Sequence, residues 1–184
     1  MWWAQLLNNV VALLGNGGGA ATSYESIATV TVGAGGSSTI SFTSIPSTYK
    51  HLQVRLTSLT TSAVSTYAYF NTGSGTYSWH ELSGNGSSAA ATAGSSTNIF
   101  YVGYNASTTA NYTGAAIMDI LDYANTNKNK TVRILSGSDA NGSGIVYFRS
   151  GLWQVTTAID AINITMGTGG FAQNTHAALY GIKG

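Results

Sequence analysis

The chain has 184 residues and no cysteine, and only 7% of its residues are charged, against about 25% in typical soluble domains. The absence of cysteine excludes disulfides, thiolate zinc sites and thiol nucleophiles. Seven bases against six acids leave no basic stripe for nucleic acid.

One domain of this length can bury enough surface to fold without staples. So little charge makes a poor colloid for a lone monomer, because near-neutral surfaces associate. The composition therefore suits a subunit whose surface is covered within an assembly. No segment reaches the ~18 consecutive apolar residues of a transmembrane helix, so no membrane partner is expected.

The start, MWWAQLLNNVVALLG, lacks the basic region of a secretory signal, since the first Lys or Arg is Lys50. Asn8 and Asn9 also split its apolar run. Residues 2–14 carry helical spacing, with Trp3, Leu6, Leu7, Val10, Leu13 and Leu14 on one broad face. Gly15 and Asn16 suit a helix stop, and Gly17 to Gly19 suit a flexible link. So short a helix is marginal alone, and its face needs a partner. That partner is its own body, a sister copy or another protein. Residues 1–21 thus read as an anchoring helix plus glycine linker, with Trp2, Trp3, Leu6, Leu7, Val10, Leu13 and Leu14 as the contact residues. Residues 22–184 form the body.

From Thr22 the period becomes two. Strands are expected over 27–32, 39–42, 51–59, 67–70, 77–82, 99–103, 115–121, 131–135, 145–150, 158–166 and 177–182. In the clearest, Leu52, Val54 and Leu56 face one way and His51, Gln53, Arg55 and Thr57 the other. Residues 83–96, rich in Gly, Ala, Ser and Asn, read as a surface loop. The only proline, Pro46, falls in a connection. No helical pattern recurs between strands, so a βαβ sheet is not expected. The expected fold is all-β, an antiparallel β-sandwich of jelly-roll type with an N-terminal amphipathic helix.

Candidate chemistry is sparse. His51, His80 and His176 lack a second ligand at metal spacing. Asp119 and Asp122 would serve glycosidase chemistry only if they flanked a sugar bond. At a strand end leading into YANTNKNKT they read better as turn residues, with Lys128, Lys130 and Arg133 as ion partners. DANGSG at 139–144 matches the first half of a calcium loop but lacks its closing Glu. It also suits a hairpin centred on Asn-Gly. No nucleophile elbow, P-loop or dinucleotide fingerprint occurs. The chain reads as a non-enzyme with no cofactor and no metal.

Aromatics gather in the middle third. Tyr67 and Tyr69, and Tyr77 and Trp79, would share one face each on neighbouring strands. Such rows serve as core packing, as a subunit contact or as a sugar-stacking surface. Tyr77, Trp79 and Tyr104 are the candidate glycan or subunit contacts.

Five segments in order carry a resemblance: SIPSTYKHLQVRL (44–56), FNTGSGTYSWHEL (70–82), DILDYANTNKNKT (119–131), SGLWQVTTAI (150–159) and ALYGIKG (178–184). Together they resemble a family of small virion proteins of tailed bacteriophages, over roughly residues 22–184. The resemblance implies a jelly-roll structural protein located in the virion, with phage capsid or tail proteins as partners. It implies capsid decoration (cement), fibre or tail-associated roles, and it carries no catalytic residue onto this chain. The expectation that follows is a decoration protein docked through its arm, as a homo-oligomer, a trimer being favoured. The alternative is a fibre or adhesion module that binds host-surface glycans.

Overall fold

The computed structural model describes residues 23–97, 99–104 and 111–184. The expected helix, with Trp2, Trp3, Leu6, Leu7, Val10, Leu13 and Leu14, lies outside the described residues.

The described residues form two antiparallel sheets and no helix. Five strands of the larger sheet come early in its order: β1 (Tyr24–Thr31), β3 (His51–Ser58), β5 (Tyr77–Gly84), β6 (Ala89–Thr97) and β8 (Gly114–Leu121). It is completed by β9 (Lys130–Asp139), β10 (Gly144–Trp153) and β12 (His176–Ile182). The smaller sheet contains β2 (Thr39–Phe42), β4 (Ser65–Phe70), β7 (Phe100–Tyr104) and β11 (Ile162–Met166). The spatial orders are β1-β12-β3-β8-β9-β10-β5-β6 and β2-β11-β4-β7. No helix of the described residues is long and apolar enough to cross a membrane.

The alternation seen in the sequence sets the core. Leu52, Val54 and Leu56 of β3, Met118 and Ile120 of β8, and Val132 and Ile134 of β9 are buried on the inner face of the large sheet. They belong to one cluster with Ile40, Phe42, Phe70, Ile162 and Ile164 of the small sheet. Strands that alternate buried and exposed in this way are half-covered, as in a sandwich.

One end of the core is aromatic. Phe70, Tyr77, Phe100 and Trp153 are all buried, with Tyr77 and Phe100 ring centroids 4.6 Å apart and Phe70 and Trp153 5.5 Å apart. Phe100 lies so close over Gly151 that a Cβ there would come within 2.3 Å of the ring. Trp153 Nε1 donates to the Ser74 carbonyl (2.9 Å), so its one polar atom is satisfied.

Three expectations need correction. The segment expected as a surface loop is largely strand, because β5 runs on to Gly84 and β6 pairs with it antiparallel. β6 is held by backbone pairing, and none of residues 89–95 is buried, so it needs no large apolar residues. The strand expected from Ala158 begins at Ile162. Residues 158–161 are tied instead to Asn71, whose Nδ2 donates to the Ala158 carbonyl and whose Oδ1 accepts from the Asp160 and Ala161 N–H groups. Finally, β4 and β5 are consecutive but not neighbours, since they belong to different sheets.

The 139–144 segment is the β9–β10 hairpin. Asn141 and Gly142 both have positive φ (57° and 101°), as a two-residue type I′ turn requires. Asp139 Oδ1 accepts the Asn141 N–H (2.9 Å), so this carboxylate caps the turn.

Candidate functional site

Two surfaces stand out, one on each face of the large sheet where it extends toward β6. The inner one is an aromatic cluster. β7, at the edge of the small sheet, contacts β8, β9, β10 and β5, so its tyrosines meet residues of the extension. The Tyr101 ring lies 4.9 Å from Tyr67 and 5.1 Å from Trp79. Trp79 packs against Gly94 of β6, where a Cβ would sit 2.7 Å from the indole. Its Nε1 is buried and has no hydrogen-bond partner among the described residues.

A buried ion pair supports the cluster. Arg149 Nε donates to Glu81 Oε2 at 2.6 Å, with side chains 4% and 11% exposed. Arg149 also donates to Ser136 Oγ (3.1 Å) and stacks over the Tyr147 ring at 3.8 Å. A guanidinium that is desolvated, paired and stacked on an aromatic face is well satisfied. Burial pushes the Tyr147 phenol up, opposed by Arg149 and reinforced by Glu81 and Tyr104. Burial likewise raises Tyr101, with Tyr67 adding to the shift. These phenols stay neutral hydrogen-bonding groups.

Of the three candidate contact residues, Trp79 and Tyr104 are partly exposed at this cluster. Tyr77 is not, and its assignment is corrected. It is fully buried in the aromatic core, and its oxygen accepts the Phe70 N–H (3.0 Å). Burial pushes its phenol to about 12. Tyr77 and Trp79 do share a face of β5, but that face points inward, and Tyr77 lies under the small sheet.

The outer surface was not singled out in the sequence. Leu82, Ile117, Leu135, Val146 and Phe148 are 57%, 42%, 53%, 52% and 52% exposed. Cross-strand register joins them: Ile117 pairs with Leu135, Leu135 with Phe148, and Phe148 with Leu82. One apolar row therefore crosses four strands, and Val146 stands beside it opposite Gly137 and Gly84. Small residues surround the row, namely Ala115, Gly137, Gly84, Ala89 and Ala91. At the β3 end it stops at Arg55, paired with Ile117 and stacked over the rings of Tyr180 (4.9 Å) and Tyr24 (5.8 Å). The signal was present in the sequence as IVYF (145–148), where apolar residues occupy both faces of one strand.

The carboxylates are each tied to their own partners. Asp119 Oδ1 accepts from Gln53 Nε2 (2.8 Å). Asp122 is held by Lys50 (2.7 Å) and by Lys128. Lys128 and Lys50 lower its carboxyl to about 2. Its N–H donates to His51 Nδ1 (3.0 Å), and its φ of 49° places it in the turn. Among the described residues Lys130 has no carboxylate partner. It is buried, and its ammonium donates to the carbonyls of Asn125, Lys128 and Thr156. Among the described residues, no group of three or more His, Asp or Glu could hold a metal ion.

No family model matches the chain, and no curated protein matches it.

Proposed function

We propose that this chain is a non-enzymatic structural subunit of a tailed-phage virion, a capsid decoration or cement protein that acts as a symmetric homo-oligomer. The virion setting rests on the sequence resemblance. The assembly role is carried by one observation, the uncharged apolar row across β8, β9, β10 and β5, which a protein meant to stay apart from others would cover with charge.

The strand order supports the jelly-roll form of the sandwich. With β5–β6 and β9–β10 set aside, the chain passes between β1-β12-β3-β8 and β2-β11-β4-β7 at every step but one, β4 to β7, which pair within the smaller sheet. The pairs β5–β6 and β9–β10 then read as hairpins added to the large sheet. In this reading residues 2–14 attach the body to capsid or tail proteins through Trp2, Trp3, Leu6, Leu7, Val10, Leu13 and Leu14. Each large side chain contributes about 1.5–3 kcal/mol on burial, before the cost of ordering the segment. Deletion of residues 1–16 is expected to leave a folded body, read by circular dichroism, that no longer joins particles. Wild-type incorporation of the deletion variant would contradict the anchoring role.

A second reading is favoured by the aromatic cluster. Trp79 and Tyr104 present partly exposed rings beside the Arg149–Glu81 pair, a mix of flat apolar faces and polar groups suited to sugars. A fibre or adhesion module binding host-surface glycans would use them. Glycan-array binding that disappears in Trp79→Ala, with the fold intact, supports this reading, and an array with no binding removes it.

A further inference from the structure

We infer that the outer face of β8, β9, β10 and β5 is where a second copy of this chain packs, face to face, about a two-fold axis lying in the interface between β9 and β10. This rests on reading the chain as a self-assembling subunit, but not on where that assembly sits.

Area is the first argument. From β8 to β5 there are three strand spacings, which at ~4.8 Å each and ~27 Å of strand length give a centre of roughly 390 Å², and the flanking β3 and β6 extend the face to roughly 650 Å². A standard interface takes about 800 Å² of accessible surface from each partner, and a pleated face with protruding side chains exceeds its planar footprint.

Self-complementarity is the second. An isologous contact presents one patch to itself. Rotation about an axis parallel to the strands, between β9 and β10, keeps position along the strands and exchanges β9 with β10 and β8 with β5. Leu135 then meets Phe148 of the second copy, and Ile117 meets Leu82. The surrounding Ala and Gly residues let the two sheets approach to the ~10 Å of packed sheets.

Charge is the third. The next row on the same face reads Asp119, Arg133, Ser150 and His80 across β8, β9, β10 and β5. The same rotation sets Asp119 over His80 and Arg133 over Ser150, so no like charges meet. A formal net charge of +1 adds little repulsion between copies.

The test is sedimentation velocity on the full chain across micromolar concentrations. The expected mass is twice the 19.0 kDa of one chain. Phe148→Lys and Leu82→Lys are expected to give monomers with an unchanged circular-dichroism spectrum. Tyr69→Lys, on the outer face of the small sheet, is expected to leave the dimer intact. The chain has no cysteine, so single-cysteine variants report position cleanly. A mixture of Leu135→Cys and Phe148→Cys is expected to yield more linked heterodimer than either gives alone. A monomer at every concentration, as when residues 1–22 or another protein cover the face, would overturn the inference. So would a trimeric mass, or a dimer that survives Phe148→Lys but not Tyr69→Lys. None of these outcomes bears on whether the protein is found in virions.

Discussion

Arg149 is nearly buried, and its charge is matched by Glu81 alone among the carboxylates. Breaking a buried pair leaves an uncompensated charge, which costs about 3–5 kcal/mol. Glu81→Ala is therefore expected to lower unfolding stability by about 3 kcal/mol in denaturant titration, and a change below about 0.5 kcal/mol, the size of an ordinary surface effect, would contradict this role. Single residues were the least legible scale in the sequence. Alternation placed Tyr77 and Trp79 on one face of a strand, but it does not say whether that face points inward. The answer depends on β4 and β5 lying in different sheets, which no local pattern encodes. Lys130 was misread for a related reason. Asp122 and Lys128 are close to it in sequence, yet its ammonium reaches three carbonyls, one of them Thr156 on a distant loop.

Strands were read well wherever packing demanded large apolar residues. β3 shows Leu52, Val54 and Leu56 at alternate positions because that face builds the core, and the Asn141-Gly142 hairpin announces itself through its turn chemistry. β6 was missed because AAATAGSST is an edge strand of small residues, whose pairing with β5 is backbone chemistry. Its one demanding position is Gly94, where the Trp79 indole lies across the backbone. Gly94→Ala puts a Cβ against that indole and is expected to cost about 1–3 kcal/mol, as overpacking does. A thermal melt that matches the wild type would show that the indole moves aside freely. The exposed row is hidden at this scale, because it is made by the register of four strands, Ile117, Leu135, Phe148 and Leu82, and no single strand displays it.

At the scale of the molecule, every charged side chain lies at or after Glu25, so the first 24 residues carry none. The body's own charges are held largely in local pairs, Asp122 with Lys50 and Lys128, Arg149 with Glu81, and Lys183 with Glu25. An uncharged apolar leading segment and an exposed apolar row on a sheet face both ask for partners, and this is what unites the proposed anchoring and self-association. The sandwich was legible in the sequence because strand period and turn spacing constrain it directly. The surface that assembles was not, because it depends on which strands become neighbours. The central claim is that the chain is a decoration subunit of a virion shell. Cryo-electron microscopy of purified particles, with this chain traced in the density, tests it most directly. The account predicts density over capsomer junctions, with residues 2–14 set against the shell. Density confined to a tail or fibre tip with the Trp79 cluster facing outward, or none on the particle, would contradict it.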